Sequence, residues 1–274
     1  MRKPSNYIYY IGGALCLVLS VFLLMQSNVS PISLTNRVYF NNTDKSYRNY
    51  YYSAVPLHRN DLRQAAAYLP IYSITEEQDL WRFLVSFKME QAEITNNQDY
   101  FLAQKDGLTL KVYKFLDLVE YTADTANKTQ TNLIDVIEAS RIAKDFVNEH
   151  LFLKNPFEST VDRIEDGIIV TFIENLGKIP NKAFPTIIIM DNYGNITSAE
   201  HFYFEYEEIL RADLITPHTA ISLLPRNHIG KIRINNYELI YIFENSILQP
   251  TYIFTGQYVD GSEFTADVPA LNFN

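Results

Sequence analysis

Residues 7–25, YIYYIGGALCLVLSVFLLM, run without a charge, and the alternation of apolar and polar positions typical of a folded domain begins only well after them. The first helical signal is TEEQ at Thr75–Gln78, a capping-box pattern in which Thr75 caps the Gln78 amide and Gln78 answers back. Leu80, Phe83, Leu84 and Phe87 follow at i, i+3, i+4 and i+7, one face of an α-helix. The period then shortens to two. Tyr100 and Leu102, then Leu108, Leu110 and Val112, alternate with polar residues around the turn dipeptide Asp106-Gly107, which predicts antiparallel strands.

The same order recurs twice. A second helix is expected over 132–151, capped by Thr131 or Asn132, with Val136, Ile137, Ala143, Phe146, Val147 and Leu151 on its buried side. Strands are expected at 168–174, 184–190 and 196–204, the last two joined by DNYGN at Asp191–Asn195, whose residues tolerate positive φ. A third helix opens on Thr216-Pro217, a cap followed by proline at the first helical position, and ends at Pro225. Strands at 229–243, 251–259 and 263–268 complete the pattern, the last pair turning on Asp260-Gly261. Helices each followed by a small meander predict an α+β fold with helices on antiparallel sheets.

The uncharged run decides the topology. Its 19 residues extend about 28 Å as a helix, close to the hydrocarbon thickness of about 30 Å, so they are read as a single N-terminal transmembrane helix. A cleaved signal would have a shorter apolar stretch and small residues at its end, whereas Met25, Gln26, Ser27 and Asn28 follow here. Arg2 and Lys3 precede the run and the next cation is Arg37, which places the N-terminus in the cytoplasm and residues 26–274 outside the cell. The expected organisation is a cytoplasmic tail (1–6), the span (7–25), a stalk (26–60), a membrane-proximal α+β domain (61–125) and a distal α+β domain (131–274), with the polar segment YTADTANKTQT (121–131) at the boundary. Tyr47, Tyr50, Tyr51 and Tyr52 in the stalk suit either the outer headgroup level or a strand packed on the domain.

The chain carries net charge −9; Arg2 and Lys3 contribute +2, leaving −11 beyond the span. Such a surface repels phosphate backbones and anionic lipid heads, so nucleic acid is not an expected partner. Cys16, the sole cysteine, lies inside the span, so neither a disulfide nor a cysteine metal site is available to the outer domain. His58, His150, His201, His218 and His228 share no spacing that sets two on one helix or strand face. Glu205, Glu207 and Glu208 are read as a solvated face, since paired carboxylates of a glycosidase sit on separate elements across a cleft. There is no G-x-S-x-G, P-loop or G-x-G-x-x-G. No catalytic, cofactor or metal residue is therefore assigned. Gly12 and Gly13 are the one candidate contact, small residues that let a second membrane helix approach.

From Ala143, Phe146 and Val147 through IIVTFIENLGKIPN, TIIIMDNYGNITSAEHFYFEY, LITPHTAISLL and LQPTYIFTGQYVDGSEFTADVPAL, the distal half resembles the extracytoplasmic domains of the YycH/YycI group of Gram-positive regulators and related PepSY-like modules. The marks are Gly177 and Pro180, Asp191 to Gly194, Thr216 with Ala220 and Leu224, and Pro250, Tyr252 and Phe254; the terminal VPAL departs from the regulator pattern. The resemblance implies a non-catalytic protein that contacts a sensor kinase or another envelope protein. From a different class, exposed tyrosines suit a wall-associated module that grips polysaccharide or peptide.

Overall fold

The computed structural model describes residues 49–53, 62–72, 74, 76–124, 133–224 and 230–272. The proposed span, Gly12, Gly13, Cys16, His58 and His228 lie outside the described residues, and among those described no helix is long and apolar enough to cross a membrane. The fold is α+β, with two largely antiparallel sheets and few helices.

The strands are β1 (Asn49–Ser53), β2 (Gln64–Ile71), β3 (Glu93–Asn96), β4 (Tyr100–Lys105), β5 (Leu108–Tyr113), β6 (Leu118–Ala123), β7 (Phe157–Ile164), β8 (Gly167–Leu176), β9 (Ile179–Pro180), β10 (Thr186–Met190), β11 (Ile196–Phe202), β12 (Glu205–Asp213), β13 (Gly230–Glu244), β14 (Ile247–Tyr258) and β15 (Glu263–Pro269). The helices are α1 (Glu77–Ser86), α2 (Val136–Phe146), which runs on into a wider π-type turn at Val147–Leu151, and α3 (Pro217–Leu223). A nine-stranded sheet is ordered β3-β4-β5-β6-β11-β10-β8-β7 with β9 attached to β8. A six-stranded sheet is ordered β1-β13-β14-β2-β12 with β15 also on β14.

Each sheet takes strands from both sides of the boundary expected at 121–131. β6 pairs with β11, placing Tyr121 opposite Ala199, and β2 pairs with β12, placing Ala66 opposite Arg211. Segment 121–131 therefore does not divide two sheets: its first three residues, Tyr121 to Ala123, belong to β6, and both sheets draw strands from either side of it. Part of the expected stalk is likewise a strand, since β1 runs parallel to β13 with Asn49 opposite Gly230 and Ser53 opposite Ile234.

Two cores hold the sheets. On one face of the nine-stranded sheet, Leu80, Phe83 and Leu84 of α1 and Phe87 just after it, together as their spacing predicts, pack with Ala139, Ala143, Val147 and Leu151 against Phe101, Leu110, Val119, Val170 and Ile188. In the six-stranded sheet Ala220 and Leu224 at α3 cover Ile232, Ile234, Tyr252, Phe254 and Val268. The sheets join where Asn181, fully buried, bridges to Tyr241 and donates from Nδ2 to Tyr206 at 3.1 Å, while the Tyr241 hydroxyl donates to the Ala66 carbonyl at 2.9 Å.

Helix starts differ from the sequence expectation by a few residues. At α1 the cap is Glu76, whose amide donates to the Asp79 carboxylate at 2.9 Å, one residue later than the Thr75–Gln78 box. At α2 the cap is Asp135, which accepts from the amides of Ile137 and Glu138 at 3.0 and 2.8 Å, not Thr131 or Asn132. That shift turns Val136 and Ile137 outward, where Ile137 is 78% exposed. Asp135→Ala is expected to cost about 1 kcal/mol by stranding two helix amides, measurable as a lower urea midpoint. Thr216 caps α3 as expected, accepting from the Thr219 amide at 3.1 Å. Asp106-Gly107 and Gly194 take positive φ in their turns, as those residues allow.

Candidate interaction face

Among the described residues the helices pack on one face of the nine-stranded sheet, and the strand period of two fixes what the other presents. On β4, β5, β6 and β11 the fully buried residues (Phe101, Leu110, Val112, Val119, Ala199) point to the helices, and the alternate positions are half-buried or exposed. Along those positions the register aligns Tyr100 with Tyr113, Tyr113 with Leu118 and Leu118 with Phe202. Phe184, just before β10, continues the row with its ring 5.2 Å from that of Phe202. A cluster closes the end nearest the sheet junction: Phe184 lies 5.0 Å from Phe243 and 4.6 Å from Phe204, which meets Tyr72 at 5.4 Å. Tyr72 and Phe243 remain 44% and 40% exposed. Phe204 and Phe243 thus pack on the Phe184 end of the row, while Tyr100, Tyr113, Leu118 and Phe202 stay half-buried.

A second row lies two residues further along each strand, about 6.8 Å away. It aligns Leu102 with Lys111, Lys111 with Glu120, Glu120 with Glu200 and Glu200 with Ile187. Lys111 rests between the rings of Tyr100 and Tyr113, 4.3 and 4.2 Å from their centroids, and donates to the Tyr113 hydroxyl, which donates to Glu120 at 3.1 Å. The bond to Tyr113, then the nearby Glu120 carboxylate, raises the Lys111 pKa. Glu200 stands opposite Glu120 with no cation beside it among the described residues, a like-charge pair that costs stability unless a positive group approaches.

The residues singled out by sequence scatter. His201 is buried and shares a hydrogen bond of 2.8 Å with Thr186, and burial holds its pKa down to about 3. His150, half-buried, stacks on Phe87 at 4.8 Å and contacts the Ser86 carbonyl through Nδ1 at 2.7 Å, and burial lowers its pKa. His218 is exposed. Glu205 pairs with Lys154 at 2.9 Å and Glu208 with Arg211, so these carboxylates form a solvated, ion-paired edge on β12. Glu174, in the sheet junction, has its pKa raised by burial. Among the described residues no three His, Cys, Asp or Glu side chains gather as metal ligands. Of the tyrosine cluster, Tyr50, Tyr51 and Tyr52 fall in β1. The aromatic row is absent from the sequence reading because its members, 100, 113, 118, 184 and 202, meet only through strand register.

No protein-family model matches the chain. No curated protein matches it either. Solved structures similar to this chain include these two. One is an uncharacterized protein from Eubacterium rectale, 12% identical over 77% of this chain and 82% of that one, with a TM-score of 0.49. The other is the C-terminal domain of Bacillus megaterium YpeB, 13% identical over 74% of this chain and 95% of that one, with a TM-score of 0.44. Likeness at this level carries neither activity nor partner across.

Proposed function

We propose that the chain is a membrane-anchored, extracytoplasmic, non-catalytic accessory subunit that binds another envelope protein, a sensor kinase being one such partner. The observation that carries this reading is the half-exposed apolar row on the nine-stranded sheet, where Tyr100, Tyr113, Leu118 and Phe202 line up across four strands. Apolar side chains aligned in one row, half-exposed and flanked by polar positions, support reading the face as an interaction surface. The uncharged run at 7–25 and the resemblance of residues 132–271 support the address and the binding role. A polysaccharide grip is less well supported, because Lys111 rests against the tyrosine rings that a sugar would stack upon.

Co-purification from detergent of the full chain, with Phe202→Lys and Leu118→Lys as variants, tests the reading. Either lysine is expected to lower recovery of the partner about thirtyfold, the loss of about 2 kcal/mol at an interface anchor. Replacing residues 7–25 by a neutral Leu/Ala helix tests the separate contribution of Gly12 and Gly13. Unchanged recovery in both lysine variants would remove the sheet face from the function.

A further inference from the structure

We infer that the segment received by this face is an amphipathic α-helix of about 13 residues with a cationic flank, lying across the strands along the aromatic row. The inference rests on the binding function proposed above and gives the partner a shape and a charge.

Pitch is the first argument. Neighbouring strands stand about 4.8 Å apart, so the row from Tyr100 on β4 to Phe184 beside β10 crosses four gaps, roughly 19 Å. One helical turn rises about 5.4 Å, and successive turns stay within about 3 Å of successive strands over that length. An extended segment repeats its side chains every 6.8 Å or so on one face and falls out of step by about 2 Å per strand, about 4 Å adrift at the third. The row therefore matches a stripe at i, i+3 or i+4, and i+7.

Charge is the second. The neighbouring row brings Glu120 and Glu200 face to face, and its cation, Lys111, is already engaged by Tyr113. A Lys or Arg on the flank of the incoming helix would sit between the two carboxylates. The same feature argues against a second copy of this chain as occupant, since face-to-face pairing would bring four carboxylates together against two lysines.

A photo-reactive phenylalanine derivative placed singly at Tyr113, Leu118 and Phe202 of the full membrane-tethered chain, with mass-spectrometric mapping of what each captures, tests this directly. The captured residues are expected to advance by three or four positions from one site to the next, and Glu200→Lys is expected to lower capture at Leu118 about tenfold. Steps of two, scattered positions or capture unaffected by Glu200→Lys would overturn the helical, cationic occupant while leaving a protein partner in place. Capture of no protein at any of the three sites would overturn the proposed function as well.

Discussion

Gly256→Ala is expected to be among the most damaging added methyls at the described glycines, costing about 4 kcal/mol or more and leaving a large unfolded fraction at physiological temperature. A Cβ built at Gly256 in β14 lies 2.0 Å from the Arg233 carbonyl oxygen and 2.9 Å from its carbon, with Ile234 Cα at 3.1 Å. All three are backbone atoms of β13, beside the register shift between Ile234 and Asn236. No rotamer change relieves such a contact, so the ladder itself must move. Gly261→Ala is the matched control: its Cβ meets nothing within 4 Å, and only its φ of +85° opposes the change. That control is expected to cost about 1 kcal/mol. Urea unfolding of the two variants decides the matter, and equal midpoints would refute the steric account.

The second large effect is acid destabilisation through His201. Buried on the helix-facing side of β11, the imidazole stays neutral in the fold down to about pH 3, whereas in the unfolded chain it protonates near its ordinary 6.5. The unfolded state therefore binds the extra proton as pH falls. Stability is complete above 6.5 and declines from there toward about pH 3, at about 1.4 kcal/mol per pH unit. This amounts to about 2 kcal/mol at pH 5 and between about 4 and 5 kcal/mol near pH 3. His150, its pKa also lowered by burial, acts in the same direction. His201→Gln is expected to flatten much of this slope in urea midpoints collected between pH 7 and 4. An unchanged slope in that variant would place the acid sensitivity elsewhere.

Local chemistry made the hairpins and helix faces readable. Gly107 and Gly194 supply the positive φ their turns need, and Leu80, Phe83, Leu84 and Phe87 are buried together as their spacing required. Where several residues compete for a cap, sequence pattern alone chose wrongly: Asp135 and Glu76 took positions assigned to Asn132 or Thr131 and to Thr75. β2 was missed because Ala65, Ala66 and Ala67 are good helix formers, and only the pairing with β12 and β14 makes them strand. The interaction face was missed for the same reason. Each of Tyr100, Leu118 and Phe202 is an ordinary half-buried strand residue until distant segments bring them into line.

The interleaving of early and late strands also dictates when the protein can finish folding. β2, complete by Ile71, lies between β12 and β14, and β14 ends at Tyr258 of a 274-residue chain. During synthesis β2 waits unpaired until β12, ending at Asp213, has emerged, and its single pairing with β14, Tyr68 opposite Leu248, comes later still; loop closure over that separation is slow. Loss of residues 235–274 would remove β14 and most of β13 from beside the early strand, breaking the middle of the six-stranded sheet rather than trimming a dispensable tail.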